Sequence, residues 1–218
     1  MRLLAHRGLW SETIGQNTPM AFKTAINNGF GIELDVRDID GELVVSHDPP
    51  NKDCITFRSV LDLLRVNHTG ENVISLAVNI KSDGLRDQLV KLVEVIASNV
   101  DMFVFDMSVP DMYSYLDSPL KVCSRISDLE KQPVLISRTH NLWVDAFEND
   151  MAMIDFIDEY AMVVDNIYVV SPELHGRHHL DFWSVLKDKS GIYGNLSLCT
   201  DYPIQASDFF AERCSLQA

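Results

Sequence analysis

The chain has 218 residues, 46% of them hydrophobic, enough to close one large core or two small ones. Its 18 lysines and arginines stand against 32 aspartates and glutamates, a formal charge of −14. That balance repels a nucleic-acid backbone or an anionic membrane, and no Lys/Arg run offsets it, so the expected partner is a small molecule and not nucleic acid.

Short apolar runs alternate with amphipathic stretches along the whole chain. Residues 2–5 read as a first strand, and Asn17-Thr18-Pro19 then opens a helix that ends near Gly29, with Thr18 as cap and Pro19 at the first helical position. A second strand, 31–36, continues through an Asp40-Gly41 turn into a short extension at 42–46. Thr56 opens the next helix, 75–80 is a third strand, and a helix from Leu85 to about Ser98 follows Asp83-Gly84. Further strands are expected at 102–105, 120–124, 142–144, 167–170 and 191–199, with helices at 109–116, 148–162, 180–187 and 204–213.

A strand followed by a helix, about eight times over, predicts a parallel sheet, because each return to a parallel neighbour needs a crossover. The expected architecture is a compact (β/α)8 TIM barrel in one domain over residues 1–218, with an open doubly wound sheet as the rival. No linker, repeat or low-complexity segment interrupts the pattern. Trp183 and the Phe209-Phe210 pair read as packing between helices and barrel, and His178-His179 as a solvated helix start.

The four cysteines, Cys54, Cys123, Cys199 and Cys214, are far apart and form no Cys-x-x-Cys pair. They read as small buried residues in a thiol-reducing compartment. The amino terminus begins directly on a strand-like segment, and no apolar run approaches the ~20 residues of a membrane span. A cytoplasmic protein without stable membrane anchoring is expected.

In such a barrel, functional groups gather at the carboxyl ends of the strands. His6 and Arg7 follow the first strand; Glu33 and Asp35, two apart on the second, point to the same side, the barrel interior. His47 follows the extension of that strand, and Asn79 and Lys81 repeat the two-residue spacing on the third. Two aligned carboxylates with an amide oxygen suit Mg²⁺ or Ca²⁺, hard cations that prefer oxygen. Arg7 offers a bidentate fork to phosphate and Lys81 a point charge, while His6 and His47 carry imidazoles, the side chain suited to proton transfer near neutral pH. Taken singly, each histidine is a solvated loop residue and Glu-x-Asp a charged strand edge; their joint placement around one opening is what points to cleavage of a phosphate ester.

These segments resemble the glycerophosphodiester phosphodiesterase family, metal-dependent barrel enzymes similar to phosphatidylinositol phospholipase C and the spider sphingomyelinase D toxins. The resemblance rests on His6-Arg7-Gly8, Gln16-Asn17-Thr18, Glu33-Leu34-Asp35, His47-Asp48 and, near the other end, Thr200-Asp201-Tyr202-Pro203. It implies that His6 and His47 are the acid/base pair and that Glu33 and Asp35 bind metal. It also implies that Arg7 and Lys81 contact phosphate, and that a neighbouring substrate hydroxyl attacks first to give a cyclic phosphodiester that water then opens.

The chain departs from the family pattern at three places. Asn79 stands where the family has a glutamate ligand, and Gln16 where it has a glutamate before Asn-Thr. Each change removes a negative charge, which weakens cation affinity; Asp106 is a candidate compensating carboxylate. Only about 27 residues separate His47 from the third strand, so the family's helical insertion over the alcohol is missing and an open cleft is expected. Arg125, Asp145, Glu173, His175 and Arg177 fall at later carboxyl ends, either shaping a leaving-group pocket or forming loop salt bridges. The function expected is a divalent-metal-dependent phosphodiesterase acting on a small phosphodiester. Its rivals are a lyase that stops at the cyclic phosphate and a barrel that binds phosphodiesters without turnover.

Overall fold

The structure, a computed structural model, describes residues 1–68, 72–93, 96 and 99–211. Its strands are β1 Arg2–His6, β2 Gly31–Ile39, β3 Glu42–Val45, β4 Ile74–Ile80, β5 Val100–Phe105, β6 Lys121–Val122, β7 Ser124–Ile126, β8 Asn141–Val144, β9 Asn166–Val170 and β10 Leu196–Thr200. The helices between and after them are α1 Pro19–Asn27, α2 Phe57–Asn67, α3 Arg86–Val93, α4 Val109–Tyr115, α5 Ile136–Thr139, α6 Ala152–Tyr160, α7 Leu180–Ile192 and α8 Pro203–Ala211.

The sheet runs β6-β5-β4-β2-β1-β10-β9-β8-β7, parallel throughout except for β3, which folds back on β2. Its two ends, β6 and β7, are separated in the chain only by Cys123, whose amide still donates to the Val104 carbonyl at 2.9 Å. The two segments are halves of one bent stave. The barrel therefore closes, and the (β/α)8 TIM-barrel fold expected from the alternation is the fold observed.

Apolar residues fill three regions. Two lie between strands and helices, one around Phe22, Leu34 and Leu64, the other around Val144, Trp183 and Leu198. The third is the barrel interior, where Phe103 stacks on Tyr168 with centroids 4.0 Å apart and Phe105 on Trp143 at 3.9 Å. These rings come from β5, β8 and β9. On the other side, β1, β2 and β4 contribute small or charged inward residues such as Ala77, Glu33 and Asp35. The interior is thus plugged on one side and polar at the mouth of the other.

Several boundaries differ from the sequence expectation. The strand expected at 191–199 begins only at Leu196, because α7 runs through Gly191 to Ile192; glycine is unfavourable inside a helix but does not end one by itself. The strand expected at 120–124 is offset and broken at Cys123. The helix expected from 148 starts at Ala152, because the Asp128 carboxylate captures the amides of Phe147, Glu148 and Asn149 at 2.7–2.9 Å. The expected ends of the helices at 98 and 213, together with Cys214, lie outside the described residues.

Trp183 is fully buried and meets Phe209 and Phe210 at 5.5 and 5.8 Å, the helix packing expected of it. Cys123 and Cys199 are buried, and burial pushes both thiols well above the usual range; Cys54 is partly exposed. Among the described residues no helix is long and apolar enough to cross a membrane.

Candidate active site

The first strand ends on His6, and the chain leaves it through Arg7 and Gly8, both in the left-handed region at φ 55° and 85°. Only glycine fits the second position. A Cβ on Gly8 would lie 2.8 Å from the backbone carbon and Cβ of Ala21, so the loop rests directly on α1. Each residue of Gln16-Asn17-Thr18 then makes a separate contact. Gln16 Oε1 accepts from Arg7 Nη1 at 3.1 Å, Asn17 Nδ2 donates to Asp35 Oδ2 at 3.0 Å, and Thr18 caps α1 by accepting from the Ala21 amide.

β2 runs past the barrel rim to Ile39, turns at Asp40-Gly41 with φ 51° and 80°, and returns as β3. A two-residue turn with both φ values positive matches the twist of a hairpin. The return strand carries His47 back over the mouth, where the Ser46 amide donates to the Asp35 carbonyl at 3.0 Å. His47 remains about half exposed, with Nδ1 2.9 Å from Asp48 Oδ1.

All seven residues expected from the sequence line one cavity of about 370 Å³ at the carboxyl ends of the strands: His6, Arg7, Glu33, Asp35, His47, Asn79 and Lys81. Asp35 is almost fully buried, with Arg7 Nε 3.1 Å from Oδ2 and Lys81 Nζ 3.4 Å from Oδ1. Glu33 is equally buried. Its Oε2 accepts from the Arg7 amide at 3.3 Å and lies 3.9 Å from His6 Nε2. Burial, reinforced by the charge of Asp35, pushes the Glu33 carboxyl up to about 7.

Behind His6 stands Asp201, just past β10, with Oδ1 2.7 Å from His6 Nδ1 and accepting from Trp10 Nε1 at 3.2 Å. Burial works against a charged His6, but the hydrogen bond it donates to Asp201, joined by the charges of Glu33 and Asp201, outweighs it and raises the imidazole above its ordinary 6.5. Since Asp201 holds Nδ1, Nε2 is the nitrogen turned toward Glu33 and the cavity. The sequence reading missed this partner. Thr200-Asp201-Tyr202-Pro203 was the available signal, but no spacing argument links residues 195 positions apart.

The cavity's other half is apolar below and charged above. Phe105, Trp143, Val170 and Leu174 line it, with Phe147 and His175 facing each other at 5.0 Å. Asp106, in the left-handed region at φ 71°, pairs with Arg125, whose Nε also reaches Glu130 Oε2 at 2.5 Å. Asp145 Oδ1 lies 2.8 Å from His175 Nε2. Asp106, Arg125, Asp145 and His175 thus all reach the cavity.

Arg177 and Glu173, for which the sequence leaves both a pocket role and a loop salt bridge open, do not. Arg177 is spent on Asp150 and on the carbonyls of Ala146 and Phe147, a loop brace. Glu173 is buried beneath the loop that follows β10. His178-His179 does start a helix, α7, and His178 is exposed as expected, but His179 is sheltered against Trp183 at 4.3 Å.

Among the described residues no three His, Cys, Asp or Glu side chains form a ready-made metal ligand set. The pair of carboxylates has an amide, Asn79, as its third member. Asn79 Oδ1 is buried with no hydrogen-bond partner, an acceptor at the cavity that water or a cation would satisfy. Glu33, Asp35 and Asn79 therefore fit an oxygen-liganded divalent cation, with part of the charge of Asp35 already balanced by Arg7 and Lys81.

No family model matches the sequence, and no curated protein does. Among solved structures, an Oleispira antarctica phosphodiesterase in complex with its product sn-glycerol-3-phosphate has a TM-score of 0.67 and 14% identity, covering 97% of each chain. A structure from Mesorhizobium loti has a TM-score of 0.47 and 13% identity, covering 97% of this chain and 57% of its own. At these identities the likeness to the first is one of fold.

Proposed function

We propose that this chain is a phosphoric diester hydrolase of the glycerophosphodiester phosphodiesterase type, assisted by Mg²⁺ or Ca²⁺. The observation that carries the reading is the convergence of His6, Arg7, Glu33, Asp35, His47, Asn79 and Lys81 on one cavity of about 370 Å³. That volume suits a small diester. The structural likeness to a phosphodiesterase that holds sn-glycerol-3-phosphate supports it.

In this reading Arg7 and Lys81 bind the non-bridging oxygens of the phosphate. His6 and His47 transfer protons on opposite sides of phosphorus, one to the leaving oxygen and one from the attacking hydroxyl. Asp201 fixes His6 so that Nε2 is the transferring atom. Glu33, Asp35 and Asn79 would hold the cation, which when bound neutralises charge building on the phosphate oxygens. The apolar wall of Phe105, Trp143 and Leu174 receives one ester substituent and keeps water from it. Attack by a neighbouring hydroxyl gives a cyclic phosphate, and opening of the ring by water gives the monoester.

A second reading, phosphodiester binding without turnover, is favoured by one observation: Asp35 is already paired with both cations that would otherwise face phosphate. Incubating the purified protein with glycerophosphocholine, with and without Mg²⁺ or Ca²⁺, separates the two. Cation-dependent release of a phosphomonoester that disappears in His6→Ala supports the hydrolase. Calorimetric binding of the diester with no product after prolonged incubation supports the binding module.

A further inference from the structure

We infer that Glu173, outside the cavity, is a positioning residue for His6; this rests on the acid/base role proposed for that histidine. Glu173 sits in the single 3₁₀ turn Pro172–His175 that follows β9, yet its carboxylate turns away from the cavity that Leu174 and His175 line. Its side chain is almost completely buried, at 6% exposure. A carboxylate buried to that degree is held there only by donors that replace its water.

Those donors come from two strand ends, that of β9 and that of β10, the second of which carries Asp201. Glu173 Oε1 accepts from the Thr200 hydroxyl and from the Asp201 amide at 3.1 Å, while Oε2 accepts from the Ser171 hydroxyl. Ser171 in turn accepts from Trp183 Nε1 at 2.8 Å, and both are fully buried. The indole of α7, the end of β9 and the end of β10 are thereby tied to one carboxylate. Its reach ends at the residue whose own carboxylate lies 2.7 Å from His6 Nδ1.

The backbone of Asp201 follows the last residue of β10, where ladder hydrogen bonds stop. Without Glu173 the Asp201 amide loses its acceptor, and the Asp201 carboxylate is free to swing off His6. Phosphate binding would not change, because Arg7 follows β1 and Lys81 follows β4, and both are held by Asp35 of β2, which Glu173 does not touch. The signature of positioning is therefore a fall in kcat with KM and phosphate affinity preserved.

The test uses Glu173→Met, which removes both acceptor oxygens at nearly the same side-chain volume, and Ser171→Ala, which removes the Oε2 anchor, as a second variant should the first not fold. Three readouts are compared with the parent protein: kcat and KM on glycerophosphocholine with Mg²⁺, calorimetric affinity for inorganic phosphate, and the downfield proton resonance of His6 Nδ1–H, assigned by its loss in Asp201→Asn. The expected result is a fall in kcat of about 10- to 100-fold, as for residues that orient a functional group from behind. KM and phosphate affinity stay within about twofold, and the His6 resonance broadens or moves upfield. An unmoved resonance with unchanged kcat overturns the inference, as does a parallel loss of phosphate affinity and melting temperature, which would make Glu173 a general brace. If the parent protein itself turns nothing over, the hydrolase reading fails, and the resonance still decides what Glu173 does to His6.

Discussion

His6 Nδ1 and Asp201 Oδ1 lie 2.7 Å apart although 195 positions separate them in the chain, because β1 and β10, the first and last strands, are parallel neighbours in the barrel. That contact fixes which nitrogen of His6 faces the cavity, and it holds the imidazole above its ordinary pKa against the opposing effect of burial. Replacing Asp201 with asparagine removes the charged acceptor and leaves burial, so the His6 pKa falls. The limb of the kcat/KM pH profile governed by His6 is expected to move to lower pH, with turnover reduced about 10-fold or more. A profile with that limb in its original place would exclude His6 as the titrating group.

His6→Ala should lower turnover by about 10²–10⁴, the usual contribution of a positioned proton-transfer group. His6 sits at the rim and not in the apolar core, so the melting temperature should change by only a few degrees. Kinetics and a thermal melt on one preparation check both parts.

Asn79→Glu adds a third carboxylate to Glu33 and Asp35, directly beside Asp35, its neighbour across the β2–β4 pairing. The variant should bind Mg²⁺ or Ca²⁺ more tightly by calorimetry, because charge count sets affinity in oxygen-liganded sites. Unchanged affinity would show that the side chain at this position does not face the cation.

Asp128 offers a test of pH-dependent stability away from the chemistry. Its slight burial acts to raise the carboxyl, but the amides of Phe147, Asn149 and Glu148 lower it on balance. A depressed folded-state pKa adds stability above the unfolded value of roughly 3.9, and that stability is lost as pH falls through the folded value. Asp128→Asn should therefore lower stability at neutral pH and flatten the acid side of the stability profile. Denaturant melts between pH 3 and 7 measure it. Equal losses at every pH would contradict the assignment.

Gly8→Ala places a Cβ 2.8 Å from Ala21 at φ 85°. Strain and overlap together should cost about 2–4 kcal/mol, read as a lower denaturation midpoint with an unchanged slope. A neutral effect would mean that the loop carrying Arg7 has room to move off α1.

The fold was legible because strand and helix alternate without a break, and because position at a strand's carboxyl end follows from counting along the chain. Glu33 and Asp35 could be placed facing inward by the two-residue period alone. His47 could be placed by the Asp40-Gly41 turn, which returns the chain to the mouth. Contacts that depend on which stave stands beside or across from which were not legible. Asp201 behind His6, the Asp106–Arg125 pair and Glu173 under β10 all join segments far apart in sequence. The late start of α6 likewise follows from tertiary hydrogen bonds, those of the Asp128 carboxylate, that outweigh local propensity.

The most direct test of the central claim is phosphorus NMR of the protein with glycerophosphocholine, lysophospholipids and sugar-phosphate diesters, each with Mg²⁺, Ca²⁺ or EDTA. A cation-dependent product resonance that is absent in His6→Ala is the result this account predicts, and its chemical shift distinguishes a cyclic phosphate from a monoester. A product that forms equally in EDTA, or that persists in His6→Ala, would contradict it.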